Sequence, residues 1–215
     1  MNDDSVVYLV DDDAGVLKAI GRLLQAEGFE VRAFQSAQAF LHEHEPDVPG
    51  CVVLDMRLPD LGGLALQQAL LDSSCERPIV FMTGFGDVAD SVQAMKAGAV
   101  DFLTKPCDDE ELLRAVRGAV ERDGQARRVR SELECIQGRL DTLTPREHEV
   151  LLQVVDGRLN KQIAADLGIA EKTIKVHRAR AMEKMGASSL ADLVRKTFEL
   201  EVGAVVDHAS HAGHP

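Results

Sequence analysis

The first half of the chain repeats one pattern five times: a short apolar run, a polar residue at its end, then an amphipathic segment. The runs lie at 6–10, 29–34, 51–55, 78–82 and 99–103. The stretch at 51–55, unbroken and bounded by Pro49-Gly50 and Pro59, reads as a strand buried on both faces, while 29–34 alternates apolar and polar residues. Between them, 16–24, 37–44, 64–71, 88–97 and 108–122 have helical spacing. Val16, Leu17, Ile20, Leu23 and Leu24 share one helical face, and Gly28 stops that helix. Five βα units in succession predict a doubly wound, five-stranded parallel sheet.

The residues that end the runs carry the chemistry. Asp11, Asp12, Asp55, Thr83 and Lys105 each follow the last apolar residue of a strand. In an open α/β sheet the carboxyl ends of the strands form the ligand crevice, so all five would meet at one edge. Polar turns explain one or two such residues, but not three carboxylates, a hydroxyl and a lysine together. Clustered carboxylates repel one another and need a cation, and an all-oxygen donor set suits Mg²⁺. Beside a metal, Asp55 can act as a nucleophile toward phosphorus. Lys105 would pair with phosphoryl oxygens as a point charge, and the Thr83 hydroxyl would donate to them.

Val10-Asp11-Asp12, Leu54-Asp55-Met56-Arg57-Leu58-Pro59, Met82-Thr83-Gly84 and Leu103-Thr104-Lys105-Pro106 resemble the receiver domain of two-component response regulators, a flavodoxin-like fold. The resemblance implies that Asp55 accepts a phosphoryl group from a sensor histidine kinase. It implies that Asp11 or Asp12, Asp55 and the backbone carbonyl of Arg57 hold Mg²⁺. It also implies a cis bond between Lys105 and Pro106, and a switch in which Thr83 and Phe102 move together. Arg57 and Phe85 flank the site and would tune water access to the phosphoryl group. Cys107 departs from the pattern, since relatives often carry phenylalanine after Lys-Pro.

Residues 123–143 are charged and contain no proline. Val129, Leu133, Ile136, Leu140 and Leu143 follow the 4-3-4-3 spacing of a coiled-coil seam. A helical linker that favours a dimer is expected here, with an amphipathic helix packed on its own domain as the alternative.

Thr144-Pro145-Arg146-Glu147 combines an N-cap, proline at the first helical position and a capping box. A short helix at 160–167 with a Gly168 stop and a basic helix at 171–185 give a helix-turn-helix. Between 158 and 184 lie seven basic and three acidic residues, a composition that suits phosphates. Leu143-Thr144-Pro145-Arg146-Glu147, Asn160-Lys161-Gln162-Ile163-Ala164 and Thr173-Ile174-Lys175-Val176-His177-Arg178 resemble the LuxR-type DNA-binding domain. That resemblance places Lys175, Val176 and Ala179 toward base edges with Arg178 beside them, and Lys161, Lys172, Thr173 and His177 toward the backbone. Ile163, Leu167, Ile174 and Met182 read as core. Ala179 offers a base no hydrogen bond, only contact with a thymine methyl.

Composition narrows the remaining classes. The net charge of −12 is uneven: residues 1–123 hold 23 acids and 10 bases, and the rest 13 and 14. The N-terminus lacks a signal-peptide pattern and no apolar run approaches the ~18 residues of a membrane span, so a cytoplasmic protein with no membrane partner is expected. Four cysteines without paired spacing read as reduced, mostly packed thiols. The tail carries His208, His211 and His214 among small residues and reads as flexible.

With the motifs of both halves matched, the chain resembles a FixJ-like response regulator of the NarL/LuxR output class. The expected domains are a receiver at 1–123, a helical linker at 124–142, an all-α helix-turn-helix domain at 143–203 and a tail at 204–215. Phosphorylation of Asp55 would favour a homodimer, with a face around 88–120, that binds promoter DNA and works with RNA polymerase. It is expected to be a regulator, not an enzyme. Two other readings compete. An Mg²⁺-dependent aspartate-nucleophile phosphatase usually carries a second carboxylate two residues after the nucleophile, where Arg57 stands. A small-molecule-sensing LuxR-type regulator needs a roomy, usually aromatic ligand domain, and this chain has no Trp and one Tyr.

Overall fold

The computed structural model describes residues 5–73, 75, 77–84 and 88–211. The chain divides between Arg127 and Arg128 into two compact units.

In the first unit, strands β1 (Val6–Val10), β2 (Glu30–Phe34), β3 (Gly50–Asp55), β4 (Ile79–Thr83) and β5 (Asp101–Thr104) alternate with helices α1 (Ala14–Ala26), α2 (Ala37–Glu43), α3 (Gly63–Asp72), α4 (Val88–Lys96) and the first part of α5 (Asp109–Asp141). The strand order is β2-β1-β3-β4-β5, and each pairing is parallel. Strand side chains alternate between faces. Val6, Tyr8 and Val10 pack with Ala37, Phe40, Leu66, Leu70 and Ala94 from α2, α3 and α4. Val7 and Leu9 pack with Leu17, Leu24, Leu112 and Val116 from α1 and α5. Two covered faces explain why β1, β3 and β4 read as apolar runs, while β2 and β5, at the sheet edges, keep exposed polar residues. Gly50 opens β3 at φ +145, where a Cβ would strike the backbone of Val6, its partner in register.

The second unit contains the end of α5 followed by α6 (Pro145–Val155), α7 (Asn160–Leu167), α8 (Glu171–Lys184) and α9 (Leu190–His211). Its core joins Ile136, Val150, Leu151, Val154, Ile163, Ile174, Ala181, Met185 and Leu193. The capping box at Thr144 and Glu147 is present, and Gly168 ends α7 in the left-handed conformation at φ 64. Among the described residues, no helix is long and apolar enough to cross a membrane.

Three features differ from expectation. The fifth helix does not end at Arg122; it continues as α5 to Asp141. Gly118, Gly124 and Gly138 lie inside it without breaking it, since one glycine costs only about 1 kcal/mol against alanine. The expected coiled-coil seam is largely used within the unit. Ile136 is 4% exposed and Leu140 and Leu143 pack on the same core, while Val129 is 58% exposed. That is the packing of an amphipathic helix on its own domain. Finally, α9 extends past the expected boundary at 203 to His211, where no proline interrupts the chain before Pro215. His214 lies outside the described residues, as does Phe85.

Candidate functional site

The parallel register determines which residues meet. Val10 pairs with Leu54, so Asp11 and Asp55 emerge side by side from β1 and β3. Asp11 is 1% exposed and Asp55 6%. Lys105 follows β5, and its N–H donates to the Thr83 carbonyl at 2.6 Å. Its ammonium donates to Asp11 Oδ2 at 2.5 Å and also to Asp55 Oδ1. Burial alone would lower the Lys105 pKa, but hydrogen bonds to Asp11 and Asp55 outweigh it and hold the pKa above its ordinary value. Asp55 Oδ2 accepts from the Arg57 N–H at 2.7 Å. Gly63, the first residue of α3, sits so close to the Asp55 carbonyl that a Cβ there would lie 2.9 Å from it. The helix start therefore packs directly beneath the site.

The three consecutive aspartates have different roles. Asp11 belongs to the Lys105 pair, and its Oδ1 also accepts the Asp13 N–H at 3.0 Å. Asp12 lies at the surface. Asp13 is the N-cap of α1, accepting from Gly15 and Val16, a function the sequence pattern did not single out. The expected carboxylate cluster is thus a two-carboxylate site bridged by an ammonium. Among the described residues no group of three His, Cys, Asp or Glu is arranged around a metal position.

Thr83 is buried at the end of β4, beside Thr104 of β5. Phe102 is half-buried, with its ring centroid 6.5 Å from that of Phe81. It lines a shallow depression with Ser91, Val92, Met95, Lys96 and Asp101. The peptide bond between Lys105 and Pro106 is cis.

In the second unit, α8 buries Ile174 and Ala181 and exposes Lys172, Thr173, Lys175, Val176 and Ala179. Lys172, Lys175, Val176 and Ala179 have the i, i+3, i+4, i+7 spacing of one helical face. Lys161 is exposed on α7. Ile163, Leu167, Ile174 and Met182 all belong to the core. Arg178 is not on the exposed face. It is half-buried, and its guanidinium donates to Asn160 Oδ1 on α7 at 3.1 Å. His177 is half-buried too, with Nδ1 enclosed and without a hydrogen-bond partner among the described residues. The sequence missed three ties that hold α8. Lys184 Nζ donates to Glu147 Oε2 at 2.7 Å, and Arg139 and Lys196 donate to the Met185 carbonyl. Arg146 fixes α7 by donating to the Leu167 carbonyl at 3.0 Å. Glu147 is 3% exposed, and hydrogen bonds from Lys184 and the Thr144 N–H lower its pKa to about 2.

Residues 7–117 match the family model of the response regulator receiver domain, and residues 141–197 match that of the bacterial regulatory proteins of the luxR family. The chain is a response regulator. Its two domains are a receiver and a LuxR-type DNA-binding domain, as the sequence motifs predict. This response regulator is 45% identical over 200 residues to nodulation protein W of Bradyrhizobium diazoefficiens, covering 93% of this chain and 88% of that one. It is 45% identical over 193 residues to the transcriptional regulatory protein FixJ of Rhizobium meliloti, covering 89% and 94%. Among solved structures, the response regulator StyR superposes with a TM-score of 0.85 at 42% identity, covering 91% of this chain and 99% of that one.

Proposed function

We propose that Asp55 accepts a phosphoryl group from a sensor histidine kinase and that the modified chain then binds promoter DNA as a homodimer. The observation that carries this reading is the Lys105 ammonium shared by Asp11 and Asp55 at the carboxyl edge of the sheet. Two carboxylates converging on one cation make an anionic site that tolerates a further anion only with cationic help. In the transfer, an Asp55 carboxylate oxygen attacks phosphorus. The bond from phosphorus to the donor nitrogen breaks, and that nitrogen keeps the electron pair. Lys105 then pairs with the phosphoryl oxygens, and the Thr83 hydroxyl donates to them.

The donor set is all oxygen and already converges on a cation position, so it fits Mg²⁺. Asp11 or Asp12, together with Asp55 and the Arg57 carbonyl, would hold the ion, which would screen the charge of the incoming group. The phosphoryl group carries about −1.5 to −2 charges where the Asp55 carboxylate carried one, and its oxygens draw in Thr83 and let Phe102 turn into the space it leaves. The receiver's chemistry is confined to its own phosphoryl group.

On DNA, Lys175, Val176 and Ala179 approach base edges, while Lys161, Lys172, Thr173 and His177 approach phosphates. Arg178 joins the phosphate group, because Asn160 draws its guanidinium off the exposed face. Work at a cytoplasmic promoter with RNA polymerase follows from this role.

The test is incubation with acetyl phosphate and Mg²⁺, read by intact mass and peptide mapping. One phosphoryl group on Asp55, with a shift from monomer to dimer by light scattering, is expected. No modification of the wild type, or equal modification of Asp55→Asn, would overturn the reading.

A further inference from the structure

Helices α5 and α8 exchange C-terminal caps. Arg139, in the last turn of α5, donates from Nη1 to the carbonyl of Met185, the C-cap of α8, at 3.2 Å. Lys184, the last residue of α8, donates in return to the carbonyl of Thr142, just past α5, at 2.9 Å. Each helix end carries partial negative charge on unpaired carbonyls, and each receives a cation from the other helix. Gly186 follows at φ +57, and a Cβ there would collide with the Arg139 guanidinium. The chain thus turns away from α8 with a residue that leaves room for Arg139. Ile136, one turn earlier on α5, is in the same core as Ile174, Ala181 and Met185.

The other part of α5 is anchored in the receiver. Asp123 accepts the Gly50 N–H at 2.9 Å, and Arg127 donates to Asp123 and to the carbonyls of Pro46, Asp47 and Val48. Within the receiver unit α5 is hydrogen-bonded to Gly50 and the segment before it, and within the second unit it is hydrogen-bonded to the end of α8.

We propose that Arg139 is a positioning residue through which α5 sets the attitude of α8, so that phosphorylation of the receiver reaches the DNA-binding helix. This rests on the phosphorylation and DNA-binding reading above. A second cation makes the idea separable from simple bracing. Lys196, on α9, donates to the Met185 and Gly186 carbonyls at 3.5 and 2.7 Å. It caps the same end of α8 but has no part in α5.

The experiment measures the affinity of the full chain for a promoter fragment, with and without Mg²⁺ and beryllofluoride as the phosphoryl mimic. The readout is the ratio of the two affinities. Arg139→Ala should shrink the wild-type ratio by about fivefold or more, and Arg139→Lys should retain most of it. Lys196→Ala should weaken binding in both states alike and keep the ratio. Far-UV circular dichroism checks folding; should Arg139→Ala unfold, Arg139→Gln must show a smaller ratio than Arg139→Lys. A ratio unchanged in Arg139→Ala and Arg139→Gln, or reduced as much by Lys196→Ala, overturns the proposal. A wild-type ratio of one would instead overturn the phospho-switch itself, and this proposal with it.

Discussion

Lys105 and Asp55, fifty residues apart in sequence, share a direct ion pair at the carboxyl edge of the sheet, and Asp11 shares the same ammonium. The lysine therefore occupies the position between two carboxylates that a divalent cation would compete for. Lys105→Ala should tighten Mg²⁺ binding, because the internal competitor is gone. It should also destabilise the metal-free receiver by about 1–3 kcal/mol, the cost of leaving buried acceptors unpaired, and added Mg²⁺ should restore that loss. Calorimetric titration and thermal melts with and without Mg²⁺ check both. Weaker Mg²⁺ binding in the variant would show that Lys105 does not compete with the ion.

Glu147 gives the second unit a defined acid sensitivity. Hydrogen bonds from Lys184 and Thr144 lower its folded pKa from 4.5 to about 2. A depressed folded pKa contributes stability that is full above the unfolded pKa and is lost as pH falls through the folded one. The contribution should therefore decline from pH 4.5 down to about 2. Thermal melts of wild type and Glu147→Gln across that range should converge at the acid end. Parallel curves would mean that Glu147 carries no such linkage.

The exposed face of α8 separates two roles. Lys175→Ala should cost about 1–3 kcal/mol on the preferred site and relax base preference. Arg178→Ala should weaken preferred and random DNA alike and reduce the salt slope, since Asn160 holds Arg178 off the face shared by Lys172, Lys175, Val176 and Ala179. Binding measured over a salt series on both DNAs distinguishes them. A selective loss on the preferred site for Arg178→Ala would return Arg178 to base reading.

Ile136 and Val129 lie on the same helix and follow the same apolar spacing, yet only Ile136 is buried. Ile136→Ala should cost about 2–5 kcal/mol in the second unit. Val129→Ala should change stability by no more than about 0.5 kcal/mol. Chemical denaturation measures both; equal losses would restore the seam as a single interface.

What could be read from the sequence follows physical range. Asp11, Asp55, Thr83 and Lys105 were legible because each stands at the end of a short apolar run, and parallel strands bring those ends together. The Thr144 and Glu147 capping box was legible because it lies within four residues. The role of Asp13 was hidden among three adjacent aspartates that composition cannot tell apart. The continuous α5 was hidden by glycines that suggest a break and by a charge pattern that suggests a separate linker. The Asn160 partner of Arg178 is eighteen residues away and on another helix, so the spacing of α8 alone places Arg178 with its exposed neighbours. Arg127 and Arg139 act on backbone carbonyls, which any sequence supplies, so no motif marks them.

The most direct test of the central claim is promoter binding by the full chain, with and without Mg²⁺ and beryllofluoride, in wild type and Asp55→Asn. Tighter binding by the loaded wild type, with no change in Asp55→Asn, is the predicted result. Equal affinity of the wild type in both states, or an equal gain in Asp55→Asn, would contradict a switch that runs from Asp55 to DNA.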